Sequence, residues 1–264
     1  MRFLFLLVFL ASITANQAQN NGIVYYGHIE SPGKGGPVGL DFNAYLVFNK
    51  QASYYVTAKD SLEKQTELEE KKIKEVNGNQ QVYLGKHTLP QGKQVYYNRA
   101  KDSLWWNKKY KKPVYGREKR AKIDWNLGSE TKTFGGLTCH KATGTFRGKN
   151  YTAWYTDAIP LSYGPWKLQG LPGLILEAYD EKKEMYLYFK SLEYPVKRNL
   201  SIGPIEKPEV DKEYPFISIE EYKQTLNELV ERSKTKAILI AKQMGADVTV
   251  KTGGVETLSV EVFD

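Results

Sequence analysis

The stretch from Ile123 to Tyr194 constrains the fold more than any other, because it is patterned as strands on both sides of a rigid loop. Pro165, Pro172 and their neighbouring glycines exclude a helix within the loop. The tetrapeptide Leu-Pro-Gly-Leu that ends the loop predicts a type II turn, in which Pro172 presets φ and Gly173 takes the positive φ of the third residue. Apolar side chains alternate with period two after this turn, so the loop leads into a strand with a buried face.

The same alternation recurs along most of the chain, in short segments separated by glycine, proline or aspartate. Strands are predicted at residues 23–29, 40–48, 54–56, 81–85, 94–99, 104–108, 114–117, 131–134, 137–146, 151–156, 174–179 and 185–192, with 255–263 as the last. Segment 40–48 has apolar residues on one face and mostly polar residues on the other, which is typical of an antiparallel sheet. Many short strands at close spacing predict a mainly β (α+β) fold, a curved antiparallel sheet or incomplete barrel.

Two segments break the strand pattern. Ser218 and Glu221 have the sequence of a capping box, and apolar residues of helical period follow them. We therefore predict a C-terminal amphipathic helix over residues 218–244, packed on the sheet rather than bound to a membrane surface. Residues 59–79 carry many charges at helical spacing but few apolar side chains, which predicts a solvated helix or a mobile insertion ended by Gly78.

The N-terminus predicts export. Residues 1–18 have the pattern of a secretory signal peptide, with Arg2, a short apolar run and the small residue Ala18 at the expected cleavage site. No cysteine for lipid attachment follows the apolar run, and no later segment is apolar for long enough to span a bilayer. We expect a single domain over residues 19–264 that is periplasmic or secreted.

Net charge and composition limit the classes of partner and ligand that the sequence predicts. A net charge of +8 suits anionic partners such as lipid A, acidic glycans or acidic protein patches. Nucleic acid is not predicted, because the densest basic stretch, residues 108–122, alternates with aromatic residues like a solvated strand face. The single cysteine, Cys139, allows no intramolecular disulfide, and three scattered histidines have no metal-ligand spacing. No cofactor or metal is predicted, and the oligomeric state stays open.

Several motifs in register resemble the GLPGLI family. They are Ile123-Asp124-Trp125, Cys139-His140-Lys141-Ala142, Ala153-Trp154-Tyr155, Gly164-Pro165-Trp166-Lys167 and the hexapeptide Gly170-Leu171-Pro172-Gly173-Leu174-Ile175. The similarity is dense over residues 123–195 and loose over the earlier strands. This resemblance implies an exported envelope protein of Bacteroidota, and it implies no particular activity.

Catalytic chemistry has little support in the sequence. Cys139 and His140 are adjacent on a predicted strand, so they point to opposite faces and cannot form a nucleophile–base pair. Cysteine is among the most buried residue types, so we predict a core thiol, with an exposed free thiol as the alternative. Two carboxylates of the same region could flank a glycosidic bond, although their positions beside strands favour salt bridges at the sheet rim. They are Asp124, Glu130, Asp157 and Glu177.

Binding is the function that we favour. Five Trp, nineteen Tyr and ten Phe exceed what a closed core needs. We therefore expect a non-enzymatic protein that binds an apolar or amphiphilic ligand, or a partner protein, at an aromatic-rich β surface, by analogy with half-barrel lipoprotein carriers. The predicted binding residues are Trp154, Trp166, Gly170, Leu171, Pro172 and Gly173. The alternatives are an aromatic core with Trp166 as a lid over the sheet end, an accessory protein of an outer-membrane transporter, and a periplasmic hydrolase using Asp157 or Glu177.

Overall fold

The segments in which apolar and polar residues alternate fold into one sheet of twelve strands and a separate hairpin of two strands. The computed structural model describes residues 21–63, 73–76, 79–82, 87–198, 200, 202–245 and 254–263. The strands are β1 (Gly22–Glu30), β2 (Asp41–Phe48), β3 (Ala52–Thr57), β4 (Ile73–Val76), β5 (Asn79–Val82), β6 (Lys93–Asn98), β7 (Ser103–Lys109), β8 (Pro113–Lys119), β9 (Asn126–Phe134), β10 (Leu137–Phe146), β11 (Lys149–Thr156), β12 (Leu174–Asp180), β13 (Met185–Glu193) and β14 (Phe216–Ile217). The helices are α1 (Asp60–Glu63) and α2 (Ile219–Gln243). The mainly β prediction is confirmed, and the predicted signal peptide lies outside the described residues.

Two antiparallel meanders make up the sheet. Strands β1, β2, β3, β6, β7 and β8 are neighbours in that order, and β13, β12, β11, β10 and β9 continue from β1 in the other direction. The antiparallel pairing of β1 with β13 joins the two meanders. A short parallel strand, β14, is added beside β8, so the sheet ends at β14 and β9 and is open.

The sheet curls until both meanders share one interior. Residues 157–173, which connect β11 to β12 and which we call the signature loop, lie inside this curl. The ring centroid of Tyr163 is 6.4 Å from that of Phe48 on β2 and 5.9 Å from that of Tyr97 on β6. From the same loop, the ring of Trp166 lies 5.7 Å from that of Phe146 on β10. The concave face is therefore occupied by the chain's own residues.

Helix α2 packs on the sheet through its first turns only. The predicted capping box is confirmed, with hydrogen bonds from Glu221 N to Ser218 Oγ (3.2 Å) and from Ser218 N to Glu221 Oε2 (2.7 Å). Tyr222 and Leu226 are buried, and the ring of Tyr222 lies 4.6 Å from that of Trp106 on β7. The exposed apolar side chains of the second half are Leu239, Ile240 and Met244. Within the part of the chain that is described, no helix has the length and apolarity needed to cross a membrane.

Within the charged insertion the structure describes residues 59–63, 73–76 and 79. Of these, α1 is helical, whereas β4 and β5 pair antiparallel as a hairpin that the helix prediction does not include. The two residues between these strands are Asn77 and Gly78, a sequence that favours tight hairpin turns. Charged residues at helical spacing before this turn obscure the hairpin signal, which explains why the sequence favours a helix here.

The predicted strand over residues 255–263 is wrong. Val255–Thr257 forms a 3-10 turn, and the residues after it adopt no strand. Val260 and Glu261 are nonetheless buried, and Val262 N donates a hydrogen bond to Arg147 O over 3.1 Å. The alternating residues therefore belong to a tail that is held by buried side chains and a backbone hydrogen bond, and not to a strand.

Candidate functional site

The signature loop does not form the predicted type II turn. Gly173 does not adopt a positive φ, whereas Gly170 does, at 99°. Gly173 is required by proximity instead, because a Cβ at this position would lie 2.1 Å from the backbone oxygen of Thr156. The adjacent hydrogen bond from Leu174 N to Ile159 O, 3.1 Å long, holds this approach. The glycine thus lets the end of the loop pack directly on the end of β11.

Replacing Gly173 with Ala is expected to lower the free energy of unfolding by about 1–3 kcal/mol, the cost of overpacking against backbone that cannot move aside. Urea unfolding followed by tryptophan fluorescence measures this change. Gly203→Ala is the matched control, since nothing lies within 4 Å of its Cβ position. We expect the control to change stability by no more than about 0.5 kcal/mol. Equal effects at both positions would contradict the proximity argument.

The predicted binding residues do not form one surface. Trp166 is only 6% exposed, and its ring lies 5.7 Å from Phe146 and 6.5 Å from Tyr151. Trp154 is 8% exposed and lies on the opposite face of the sheet, because it is three residues from Tyr151 on β11. Of the others, Gly170 and Pro172 are exposed, whereas Leu171 and Gly173 are buried. Trp166 belongs to the core beneath the curled sheet.

Lys167 of the signature loop joins a buried cluster of charges. Its Nζ lies 2.7 Å from Glu118 Oε1 on β8 and 2.7 Å from Glu261 Oε1 in the C-terminal tail. Arg147, at the β10–β11 turn, forms an ion pair with Glu118, and its Nε lies 3.7 Å from Glu261 Oε1. Lys108 Nζ on β7 lies 3.3 Å from Glu261 Oε2. We call these five residues the ion cluster, which ties both meanders, the loop and the tail together.

Burial and charge act in opposite directions within the ion cluster. Burial alone would raise the pKa of Glu261, but the surrounding cations outweigh it and hold that pKa below its ordinary value. Burial would likewise lower the pKa of Lys108, yet Tyr222 and Glu261 raise it well above the usual value. Both groups therefore stay ionised at neutral pH. The cluster is suited to holding structure rather than to exchanging protons.

A small cavity of about 20 Å³, lined by both polar and apolar atoms, lies beside the ion cluster. His28 Nδ1 lies 2.7 Å from Tyr55 OH, and His28 Nε2 lies 3.2 Å from Glu30 Oε1. Glu30 Oε2 in turn lies 3.0 Å from Lys93 Nζ. A histidine between a hydroxyl and a carboxylate could move protons. However, the cavity has room for about one water molecule, so neither a sugar nor an acyl group fits against His28.

A larger groove opens between α2 and the β7–β8 turn. Its volume is about 440 Å³, which falls within the range of about 300–1,000 Å³ typical of ligand clefts. The half-buried lining residues are Tyr110, Val114 and Leu229, which are apolar or aromatic, and the polar Thr225. The exposed cations of its lining are Lys111, Lys112, Arg232 and Lys236. One acid also lines it, Glu228, which lies 3.6 Å from Arg232. This helix groove suits a ligand with an apolar body and a negative charge.

Comparisons with known proteins give a family match at the signature loop and its flanking strands. A family model described as a protein of unknown function (Porph_ging) matches residues 145–177. Two solved structures, of PNGF-II in the P21 and in the C2 space group, are each similar over 78% of this chain, with 13% sequence identity and a TM-score of 0.47. The match covers 32% of each PNGF-II chain, so this chain spans about a third of their length. A search of curated proteins finds no match.

The carboxylates that a hydrolase would use each lie beside a basic partner. Asp157 is exposed, 3.9 Å from His140 Nε2, whereas Glu177 is buried and accepts a hydrogen bond from Lys132 Nζ over 2.9 Å. The other two pairs are Asp124 with Lys122 and Glu130 with Lys141, both at 2.6 Å. Ion pairing with lysine therefore accounts for Asp124, Glu130 and Glu177, of which Glu177 lies within the sheet and not at its rim. Among the described residues, no three His, Cys, Asp or Glu side chains are grouped so as to hold a metal ion.

Cys139 lies in the core without exposed surface. Burial raises the pKa of its thiol to about 11, although Lys132 acts in the opposite direction. The thiolate, which is the reactive form, is therefore scarce at neutral pH. This environment is that of an inert core thiol.

Proposed function

We propose that this chain is an exported, non-enzymatic protein of the bacterial cell envelope, a member of the GLPGLI family, that binds an anionic amphiphile in the helix groove. The pattern of residues 1–18 supports export. The motifs of residues 123–195 support the family, and the family model that matches residues 145–177 is compatible with it. The observation that carries the ligand class is the combination of an apolar lining with exposed cations.

The two parts of the groove match the two parts of an anionic amphiphile. An acyl chain buried against Tyr110, Val114 and Leu229 gains about 25 cal/mol for each Å² of apolar surface removed from water. Exposed cations around this lining attract a carboxylate or phosphate headgroup. A neutral apolar ligand would leave the cations unused, and a small anion would leave the apolar lining unused.

The face of α2 that lines the groove continues beyond it. Leu229, Ser233, Lys236 and Ile240 follow one another at intervals of three or four residues, so they share one face of the helix. At the end of this face Ile240 is 46% exposed and Met244 is 80% exposed. Exposed apolar residues among lysines are typical of helices that lie at a membrane interface. An amphiphile longer than the groove could therefore continue along α2.

Titration calorimetry with lysophosphatidylglycerol, below its critical micelle concentration, tests this proposal. We expect Lys236→Glu to weaken binding about tenfold, because a like charge then faces the headgroup. Lys234→Glu makes the same change in net charge on the same helix but outside the groove lining, so its effect should stay below about twofold. Leu229→Asp should abolish binding by placing a charge against the acyl chain.

Lysophosphatidylcholine, whose headgroup has no net charge, should bind about tenfold more weakly than the anionic lipid. Absence of binding to the wild-type protein would overturn the proposal. Equal losses from the substitutions at Lys234 and Lys236 would overturn the assigned site.

A further inference from the structure

Four strands of the first meander contain two adjacent aromatic residues. The pairs are Tyr25-Tyr26 on β1, Tyr54-Tyr55 on β3, Tyr96-Tyr97 on β6 and Trp105-Trp106 on β7. Adjacent strand residues point to opposite faces. The second member of every pair is buried in the core, and the first member is half-buried on the outer face. The interior therefore accounts for only half of these aromatic side chains.

The outer members form a row across the sheet, together with Tyr45 of β2, with a diagonal step of two residues between Tyr45 and Tyr54. Tyr25 is opposite Tyr45 in the strand register, Tyr54 is opposite Tyr96, and Tyr96 is opposite Trp105. Ring centroids are 6.5 Å apart for Tyr45 and Tyr54 and 5.6 Å apart for Tyr96 and Trp105. With strands about 4.8 Å apart, five aromatic residues on five adjacent strands extend over about 19 Å. We call these five residues the aromatic row.

Hydrogen bonds hold rings of this row in place. Tyr54 OH donates to Gln94 Oε1 over 2.8 Å, and Asn98 Nδ2 donates to Tyr96 OH over 3.1 Å. The rings also stand on paired strands rather than on loops. A ligand that stacks on them would not have to order them first, which reduces the entropic cost of binding.

Charge distinguishes the two ends of the aromatic row. Arg117 is opposite Trp105 in the register, and its guanidinium lies 5.3 Å from the Trp105 ring. Lys101 Nζ lies 5.8 Å from the same ring. At the other end, Tyr25 OH donates to the carboxylate of Glu193 over 3.0 Å. A ligand with an acidic group is therefore favoured with that group at the Trp105 end.

We propose that the aromatic row binds an oligosaccharide that contains an acidic sugar, with this sugar at the Trp105 end. A pyranose ring has flat C–H faces that stack on aromatic rings and hydroxyl groups at its edge for hydrogen bonds. A row of half-buried rings on the outer face of a sheet suits an extended chain of such sugar rings, whereas an acyl chain requires an enclosing cleft. Cross-strand aromatic pairs also stabilise a sheet. That role alone does not explain why two cations flank the terminal ring.

Affinity electrophoresis and titration calorimetry of the purified protein with oligogalacturonic acid test this inference. We expect Trp105→Ala to weaken binding by about tenfold or more, because it removes the ring on which the acidic sugar would stack, and Trp105→Phe to retain most of it. Arg117→Gln should weaken binding of oligogalacturonic acid but not of a neutral malto-oligosaccharide of equal length. Tyr186→Ala is the matched control, because Tyr186 is a half-buried residue of β13, outside the row.

Polyglutamate and oligothymidylate serve as competing probes, since the first supplies negative charge without sugar rings and the second supplies stacking bases. Both should bind more weakly than oligogalacturonic acid, and thermal unfolding should show that every variant is folded. The inference is overturned if the wild-type protein does not bind oligogalacturonic acid. It is also overturned if Trp105→Ala binds like the wild type, or if either competing probe binds as tightly.

Discussion

Replacing Glu261 with Gln is expected to lower the free energy of unfolding by about 3–5 kcal/mol, the usual result of removing one partner from a buried charge pair. The Glu261 side chain has no exposed surface and faces Lys167, Lys108 and Arg147. Glutamine preserves the shape of the side chain but leaves three cations against Glu118 alone. Urea unfolding followed by circular dichroism measures the difference.

Two further variants establish that charge is the cause. Glu213→Gln removes an exposed carboxylate and should change stability by no more than about 0.5 kcal/mol. The double variant Lys167→Met/Glu261→Gln should recover part of the loss, because it removes one of the uncompensated cations. If Glu261→Gln were as stable as the wild type, the ion cluster would not be holding the tail in place.

The pH dependence of this effect has a definite sign. The pKa of Glu261 in the folded protein lies below its ordinary value of 4.5. A group with a lowered pKa contributes its full stability above its unfolded-state pKa, and this contribution is lost as the pH falls through the folded-state pKa. The stability difference between wild type and Glu261→Gln should therefore be full at pH 7 and shrink below about pH 4.5. A difference independent of pH would indicate lost packing instead of lost charge.

The alternation of apolar and polar residues predicts the strands of this fold well wherever a strand buries one face. Strand β10 has the predicted bounds, residues 137–146, and the capping box at Ser218 begins α2 as predicted. Alternation fails at residues 255–263, where a tail is buried by side-chain contacts without a ladder. Sheet order does not follow from alternation either, because β1 pairs with β13, the twelfth strand after it in the chain.

The two proposed surfaces and the ion cluster differ in how far the sequence reveals them. Residues of the ion cluster come from β7, β8, a turn, a loop and the tail, and each has the local pattern of a surface charge. The aromatic row has a sequence signal in its adjacent aromatic pairs, because one member of each pair must face outwards. The helix groove has a partial sequence signal, since the apolar residues of helical period in α2 continue past those that the sheet buries. The role of Gly173 has no sequence signal, because it depends on a backbone contact that no turn pattern predicts.

Replacing Trp166 with Ala is expected to lower the free energy of unfolding by about 3–5 kcal/mol, the usual cost of deleting a large aromatic side chain from a core. The ring is 6% exposed and packs on Phe146 and Tyr151. Its backbone has a φ of 55°, a conformation that costs an L residue about 1–2 kcal/mol, so the packing of the ring must offset this strain. Urea unfolding of the variant, followed by circular dichroism, measures the loss.

Trp105→Ala is the matched control, because it removes the same side chain from the half-exposed aromatic row. It should cost at most about 1 kcal/mol, the contribution of a cross-strand aromatic pair. Measuring lysophosphatidylglycerol binding by the same Trp166→Ala variant then shows whether Trp166 acts in folding alone or also in ligand binding. Because the helix groove lies on α2, Trp166→Ala should keep the wild-type affinity for this lipid under conditions in which the variant is folded. If a folded Trp166→Ala protein no longer bound the lipid, the binding site would have to be assigned to the signature loop instead of the helix groove.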